Sequence, residues 1–272
     1  MKASRASFLS CVRFEFARGI FSVIPCMAAL AVCACAAQVA FAAGMHNAGI
    51  GGYGIADALM GAFRGMDVFH PESRLPFVMD AYWAVPRLLI GYIACFIPVR
   101  DLKGYSAQVV TRCESRAGWL AAKMALGASA VVFYYAACVV FAWLNALVFA
   151  GSDGASSLDA ASLLGMDPNA SASSVLCALG LSFIADLSLV PLCMALALGS
   201  SAVASYAALV VVLVASAFFA SPYLWMNATM LVRSFLAFSG GLSAEAVALG
   251  CAVALAAGLA CCYVIGRRVE YR

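Results

Sequence analysis

The sequence predicts an all-α, polytopic membrane protein with six transmembrane helices and an interfacial helix at its N-terminus. Three observations carry this. Hydrophobic residues make up 65% of the 272-residue chain and charged residues only 11%, against about 25% charged in an ordinary soluble domain. The mean hydropathy is +0.99, so a soluble fold would lack the polar surface needed to cover its core. The apolar residues fall in unbroken runs of about 20, the length that crosses a hydrocarbon layer of about 30 Å as helix. A barrel would instead show alternating segments of about 10 residues.

The whole of 1–272 reads as one transmembrane domain. Residues 1–18 form the expected interfacial helix: Phe8, Leu9, Val12, Phe16 and Ile20 recur at helical spacing beside Lys2, Arg5, Arg13 and Arg18, the pattern of a helix lying on a membrane surface. Phe14 interrupts the stripe. The plainer alternative is that this stretch only flanks the first span. The six spans are expected at about 19–43, 79–99, 124–150, 173–199, 202–220 and 246–266. The second carries Asp80, Pro86 and Arg87 in its first half, which blurs its start. Only Ser200 and Ser201 separate the fourth from the fifth, so a tight helical hairpin is expected. The first apolar run, about 24 residues, exceeds the 7–15 of a secretory signal core, so it is read as a span. No internal repeat is visible between the two halves.

Orientation follows the distribution of lysine and arginine. Twelve of the sixteen lie in the N-terminal segment, in 100–123 and in the C-terminal tail. The other side has Arg64, Arg74, Arg87 and Arg233, and its loops carry Asp57, Asp67, Glu72, Asp153, Asp159 and Asp167. Both termini are expected in the cytoplasm, which requires an even number of spans.

Composition also excludes function classes. A net charge of +3 leaves no footprint for nucleic acid. Ten of the twelve cysteines sit in apolar runs, Cys11 and Cys113 sit in basic segments, and no C-x-x-C pair occurs; they read as small apolar fillers. There is no phosphate-binding G-x-x-x-x-G-K-[ST] loop, no H-E-x-x-H and no catalytic dyad. The two histidines, His46 and His70, share the first outer segment and do not make a zinc site the expectation. No cofactor and no enzymatic activity of the chain's own are expected.

Three features stand out. Between the second and third spans, a helix over 100–123 would stack Gln108, Arg112 and Arg116 along one edge, extended by Trp119 and Lys123. Two arginines four residues apart repel modestly, so an acidic partner or lipid headgroups would suit that face; an ordinary basic loop is the alternative. In the fourth span, Asp186 lies near the centre, where a carboxylate is costly and marks a functional candidate or a hydrogen-bonded link between helices. Arg87 is a candidate partner, but it lies nearer the outer side and can snorkel. The outer segments 44–77 and 221–244 contain apolar stretches at 61–69 and 223–238 that read as short helices at the outer surface. Asn169 and Asn227 begin N-x-[ST] triplets there.

The layout resembles the six-span permease subunits of ABC transporters, in the ABC-2 class of bacterial exporters. In residues the likeness rests on Val12-Arg13-Phe14-Glu15-Phe16-Ala17-Arg18-Gly19-Ile20, similar to the amphipathic helix that leads into the family's first span. It rests also on Gly104-Tyr105-Ser106 through Arg112-Cys113-Glu114-Ser115-Arg116 to Trp119 and Lys123. The resemblance implies that this second segment contains a cytoplasmic coupling helix docking on a separate ATPase subunit through Tyr105, Gln108, Arg112, Glu114, Arg116 and Trp119. It further implies pairing with a second permease, identical or not, in the bacterial cytoplasmic (plasma) membrane, and export by alternating access. Asp186 is a departure from the family pattern, and the first outer segment is long. Two other readings stay open: an ion-coupled secondary transporter using Asp186, and a non-transporting membrane scaffold.

Overall fold

The computed structural model describes residues 4–50, 52–69, 79–113, 116–149, 164, 172–235 and 240–268, of which 4–12, 15, 103–113, 116, 117, 149, 172 and 266–268 are described by their backbone alone. Its named elements among these residues are all helices: α1 (Ser4–Asn47), α2 (Ile55–Phe63), α3 (Ala81–Cys113), α4 (Arg116–Phe149), α5 (Ala172–Gly199), α6 (Ala202–Phe218) and α7 (Ala244–Arg268), with two 3-10 turns, Trp225–Thr229 and Leu231–Arg233. Five helices are long and apolar enough to cross a membrane: α1 from Phe16, α3 to Leu102, α4 over Gly118–Val148, α5 from Ser173 and α7 to Ile265. The fold is therefore that of a helical multi-pass membrane protein. The sixth apolar helix, α6, has 17 residues, about 26 Å at 1.5 Å per residue.

Apolar residues surround each long helix, so packing rather than polarity selects the inner face. On α1 the buried hydrophobic side chains are Val23, Leu30, Ala34, Ala37, Phe41 and Met45, while Phe21, Val32 and Val39 stay exposed. Its principal neighbour is α4. There Ala122, Leu126, Ala130, Tyr134, Cys138, Ala142 and Ala146 are buried at every fourth position. Small residues at this interface let the backbones approach, the common device of helix packing in lipid. The second principal pairing is α5 with α7. Gly258 sits so close that a Cβ there would lie 3.0 Å from Leu192.

The bundle has two chemically distinct ends. At one, the ends of α3, α5 and α7 meet the start of α4: Leu102, Trp119, Leu120, Met194, Leu198, Cys262 and Ile265 form one cluster. This is the basic end. At the other, α2 and the 3-10 turns close over the helix ends, forming a cap. Helix α6 runs from the basic end, where Ala202 packs near Ala197, to the cap, where Ala217 packs with Met226 and Met230. The expected hairpin between α5 and α6 is present. Ser201 caps α6 by accepting from the Ala204 N–H at 3.1 Å, and Ser200 donates back to the Leu196 carbonyl at 2.7 Å.

Three expectations are revised. The N-terminal interfacial helix is not a separate element: α1 continues without a break from Ser4 to Asn47, even through Pro25. The helix expected over 100–123 is likewise not separate. Its first part is the end of α3, which runs to Cys113, and α4 begins at Arg116. In the cap, the helix expected over 61–69 lies earlier, at Ile55–Phe63, and the one over 223–238 is replaced by the two 3-10 turns.

Candidate functional site

The most unusual chemistry in the described residues is a buried ion pair at the meeting of α3, α4 and α5. Asp186 sits at the middle of α5, one turn after Ser182, so both face the same neighbours. Arg87, in the second turn of α3, turns toward it. The guanidinium donates from Nε to Asp186 Oδ1 at 3.1 Å and from Nη2 to Oδ2 at 3.0 Å. This is the two-pronged geometry that arginine offers a carboxylate. Side-chain exposure is 2% for Arg87 and 0% for Asp186. Arg87 therefore does not snorkel toward the bundle end, as its position in sequence allowed; it is drawn inward by the charge opposite it.

A shell of polar groups holds the pair. The Tyr135 hydroxyl on α4 donates to Asp186 Oδ2 at 3.0 Å and lies 2.7 Å from Ser182 Oγ. Its proton being committed to the carboxylate, Tyr135 accepts from Ser182. Arg87 Nη1 donates to the Trp83 carbonyl at 2.8 Å, and the Arg87 Cζ lies 5.7 Å from the Trp83 ring, within cation–π range. The Trp83 indole N–H then donates to Thr229 Oγ1 at 2.7 Å, and Thr229 donates to the Met226 carbonyl. One polar chain thus leads from the cap through α3 to the centre of α5. Breaking either charge would leave the other stranded in a dry interior, so the pair is held as a unit.

A second buried network is neutral and joins α1, α2 and α4. The Asn145 amide donates to the Gln38 side-chain oxygen at 3.1 Å and to its backbone carbonyl at 3.0 Å. Tyr53 donates to Asn145 Oδ1 at 2.8 Å, and Gln38 donates to the Ala58 carbonyl of α2 at 3.0 Å. Sequence reasoning missed this site. The signal was present, since Gln38 and Asn145 are the only amide side chains within the six expected spans.

In the cap, Arg233 is 2% exposed and uses all five of its N–H donors. Nε bonds the Met66 carbonyl at 3.0 Å; Nη1 bonds the Ser216 carbonyl and Asn227 Oδ1; Nη2 bonds the carbonyls of Asp67 at 3.0 Å and Ala217 at 2.7 Å. Ser216 and Ala217 lie in the last turn of α6, whose carbonyls lack helical partners, so the arginine both caps α6 and ties it to the segment after α2. Burial pushes this guanidinium down to about 10, and nearby Asp67 opposes the shift. Asn227 is consumed as well, donating to the carbonyls of Phe219 and Ser221. At 2% exposure it is a structural residue and no glycan acceptor. Asn169 lies outside the described residues.

At the basic end, the side chains of Tyr105, Gln108, Arg112 and Arg116 lie outside the described residues, as does Glu114 altogether. Trp119 is described, and it corrects the expectation of an outward-facing edge. Its indole is buried against Leu102, Met194 and Ile265. Lys123, expected on the same edge, is buried with its ammonium 2.5 Å from Asp101. The edge presumed one helix through 100–123, whereas α3 ends at Cys113 and α4 begins at Arg116, so the spacing of four does not carry across. Of the N-terminal residues, Arg13 and Arg18 are exposed and Phe16 is half-buried. Phe16 packs against the main core, and the side chains of Phe8 and Val12 lie outside the described residues.

The ten cysteines whose side chains are described are free thiols, and no group of three or more His, Cys, Asp or Glu gathers among the described residues as a metal site. Comparison of the chain with protein-family models, with curated proteins and with solved structures finds no match.

Proposed function

We propose that this chain is the transmembrane permease subunit of an ATP-driven exporter of the ABC-2 type, working with a separate ATPase subunit and a second permease. In this reading α6 is the sixth crossing, since it runs between the same two ends as the five longer helices. The basic end then faces the cytoplasm with both termini, and the cap faces outward from the bacterial cytoplasmic membrane.

The observation that carries the reading is the length of α3. The apolar run of its sequence ends at Val99, where Arg100 and Asp101 follow, yet the same helix continues to Cys113. Residues 100–113 make a rod of about 21 Å that bears Arg100, Lys103 and Arg112. A rod continuous with a span is a lever. Force applied to it by an ATPase reaches the segment of α3 that holds Arg87, and through Asp186 it reaches α5. Reversing the charge at the lever and at the start of α4, Arg112→Glu with Arg116→Glu, is expected to abolish co-purification with the ATPase subunit and ATP-dependent export. Unchanged co-purification and export would overturn the reading.

The mid-span position of Asp186 favours one alternative, an ion-coupled carrier. Both of its oxygens are engaged, by Arg87 and Tyr135, which supports a fixed pin over a site that takes up and releases protons. Asp186→Asn separates the two. In a coupled carrier it abolishes pH-dependent uptake; in the exporter it leaves transport dependent on ATP.

A further inference from the structure

A cavity of about 310 Å³ opens at the cap between α1, the end of α2 and the start of α3. Three properties set it apart. First, it contains one cation and one carboxylate, Arg64 and Asp80, that do not pair with each other. Arg64 gives Nε to the Leu164 carbonyl at 2.9 Å and Nη2 to Asp67 at 2.9 Å. That ion pair is exposed, 32% and 66%, and such pairs contribute little. No bond of Arg64 Nη1 is made within the described residues. Asp80 accepts from the Tyr82 N–H at 2.9 Å and from the Trp83 N–H, and no cation lies within ion-pair distance of it among the described residues. Those two bonds cap α3, a role that an amide oxygen fills as well as a carboxylate. Within the fold the charge of Asp80 acts only at a distance, through its attraction to Arg87 and Arg64, and no direct contact uses it.

Second, the depth is right for an amphiphile. Asp80 immediately precedes the apolar part of α3, and Gly44 and Met45 lie within the last turn of α1, so the charged rim is level with the ends of the spans. Third, the remaining wall descends along one face of α1, over Ala40 and Ala37. From residue 45 to residue 37 this is about 12 Å of helix, leading from the rim into the apolar layer. Small side chains leave a track there, and Tyr82 stands at the rim, where tyrosine favours the membrane–water boundary.

Opposite charges held apart in one cavity, above an apolar track, are complementary to a ligand that carries both charges and a hydrocarbon chain. We infer that this cavity holds a zwitterionic phospholipid from the leaflet at the cap end, its phosphate on Arg64, its ammonium on Asp80 and an acyl chain over Ala40 and Ala37. The inference needs only a membrane-embedded chain and stands apart from the ATPase reading.

The test is native mass spectrometry of the full chain released from neutral detergent, offered phosphatidylethanolamine, phosphatidylglycerol or free phosphoethanolamine. The wild type is expected to retain phosphatidylethanolamine several-fold more than phosphatidylglycerol. Asp80→Asn, which keeps the cap and removes the charge, is expected to equalise the two lipids. Arg64→Ala is expected to lower retention of both, and Ala40→Trp, which fills the track, to lower lipid retention without preventing folding at a half-buried position. Equal retention of the two lipids by the wild type would overturn the inference, as would a preference that survives Asp80→Asn. Binding of free phosphoethanolamine with no lipid retained would also overturn it, assigning the cavity to a soluble zwitterion.

Discussion

Two buried polar sites join helices in this bundle, and they differ in kind. Between α3, α4 and α5 the link is ionic: Arg87 and Asp186 meet in two-pronged geometry with Tyr135 and Ser182 behind them. Between α1, α2 and α4 the link is neutral, an amide pair of Gln38 and Asn145 completed by Tyr53. The neutral site is replaceable group by group, because each member loses only a hydrogen bond when its partner is removed. The ionic site is not, because each member becomes an unbalanced charge in a dry interior. The difference teaches where the bundle is held rigidly. The helix that continues past its apolar run at the basic end, α3, is one of the two joined by charge.

The largest expected effect follows from this asymmetry. Arg87→Ala or Asp186→Ala, each alone, is expected to destabilise the protein by about 3–5 kcal/mol, read as a large drop in thermal midpoint in detergent or as failure to fold. Next is Arg233→Lys. Lysine keeps the charge but offers three donors in place of five, leaving buried acceptors at the end of α6 unpaired. With each such group costing about 1–3 kcal/mol, a loss of about 2–3 kcal/mol is expected, and protease cleavage in the cap after Phe218 should increase. The smallest is Asn145→Leu, where interhelical hydrogen bonds in lipid average about 0.6 kcal/mol and reach about 1.7. A loss at Asn145 as large as that at Asp186 would erase the distinction between the two sites.

How much of this was legible in the sequence depended on the physical signal each element leaves. The long spans were, because about 20 apolar residues in a row have few alternatives to crossing lipid. Asp186 stood out for the same reason, a carboxylate amid Leu, Ile and Val. Its partner did not, because the position of Arg87 within its own helix left both snorkelling and pairing open, and only the packing of α3 on α5 decides. Where a helix stops was the least visible. Nothing at the expected boundary near residue 18 breaks a helix, and Pro25 is absorbed within α1. In the cap, α2 starts where the Gly54 N–H is bonded by Asp57 at 2.8 Å, an acidic first-turn signal passed over in favour of the apolar run after Gly61. The turns at Trp225–Thr229 and Leu231–Arg233 owe their form to Arg233 and Asn227, which recruit carbonyls from α6 and from the segment after α2. Those long-range bonds leave no local pattern. The spacing that groups Trp119 and Lys123 with Gln108 and Arg112 does not show that one helix ends at Cys113 and the next begins at Arg116.

The central claim is that Arg87 and Asp186 act as one pin between α3 and α5. A double-mutant cycle tests it most directly: thermal midpoints of the full chain in detergent for Arg87→Met, Asp186→Leu and the two combined. The account predicts that each single change is severely destabilising and that the combined variant recovers most of the loss, since no charge is then left unpaired. A combined variant as unstable as the sum of the two single variants would contradict it.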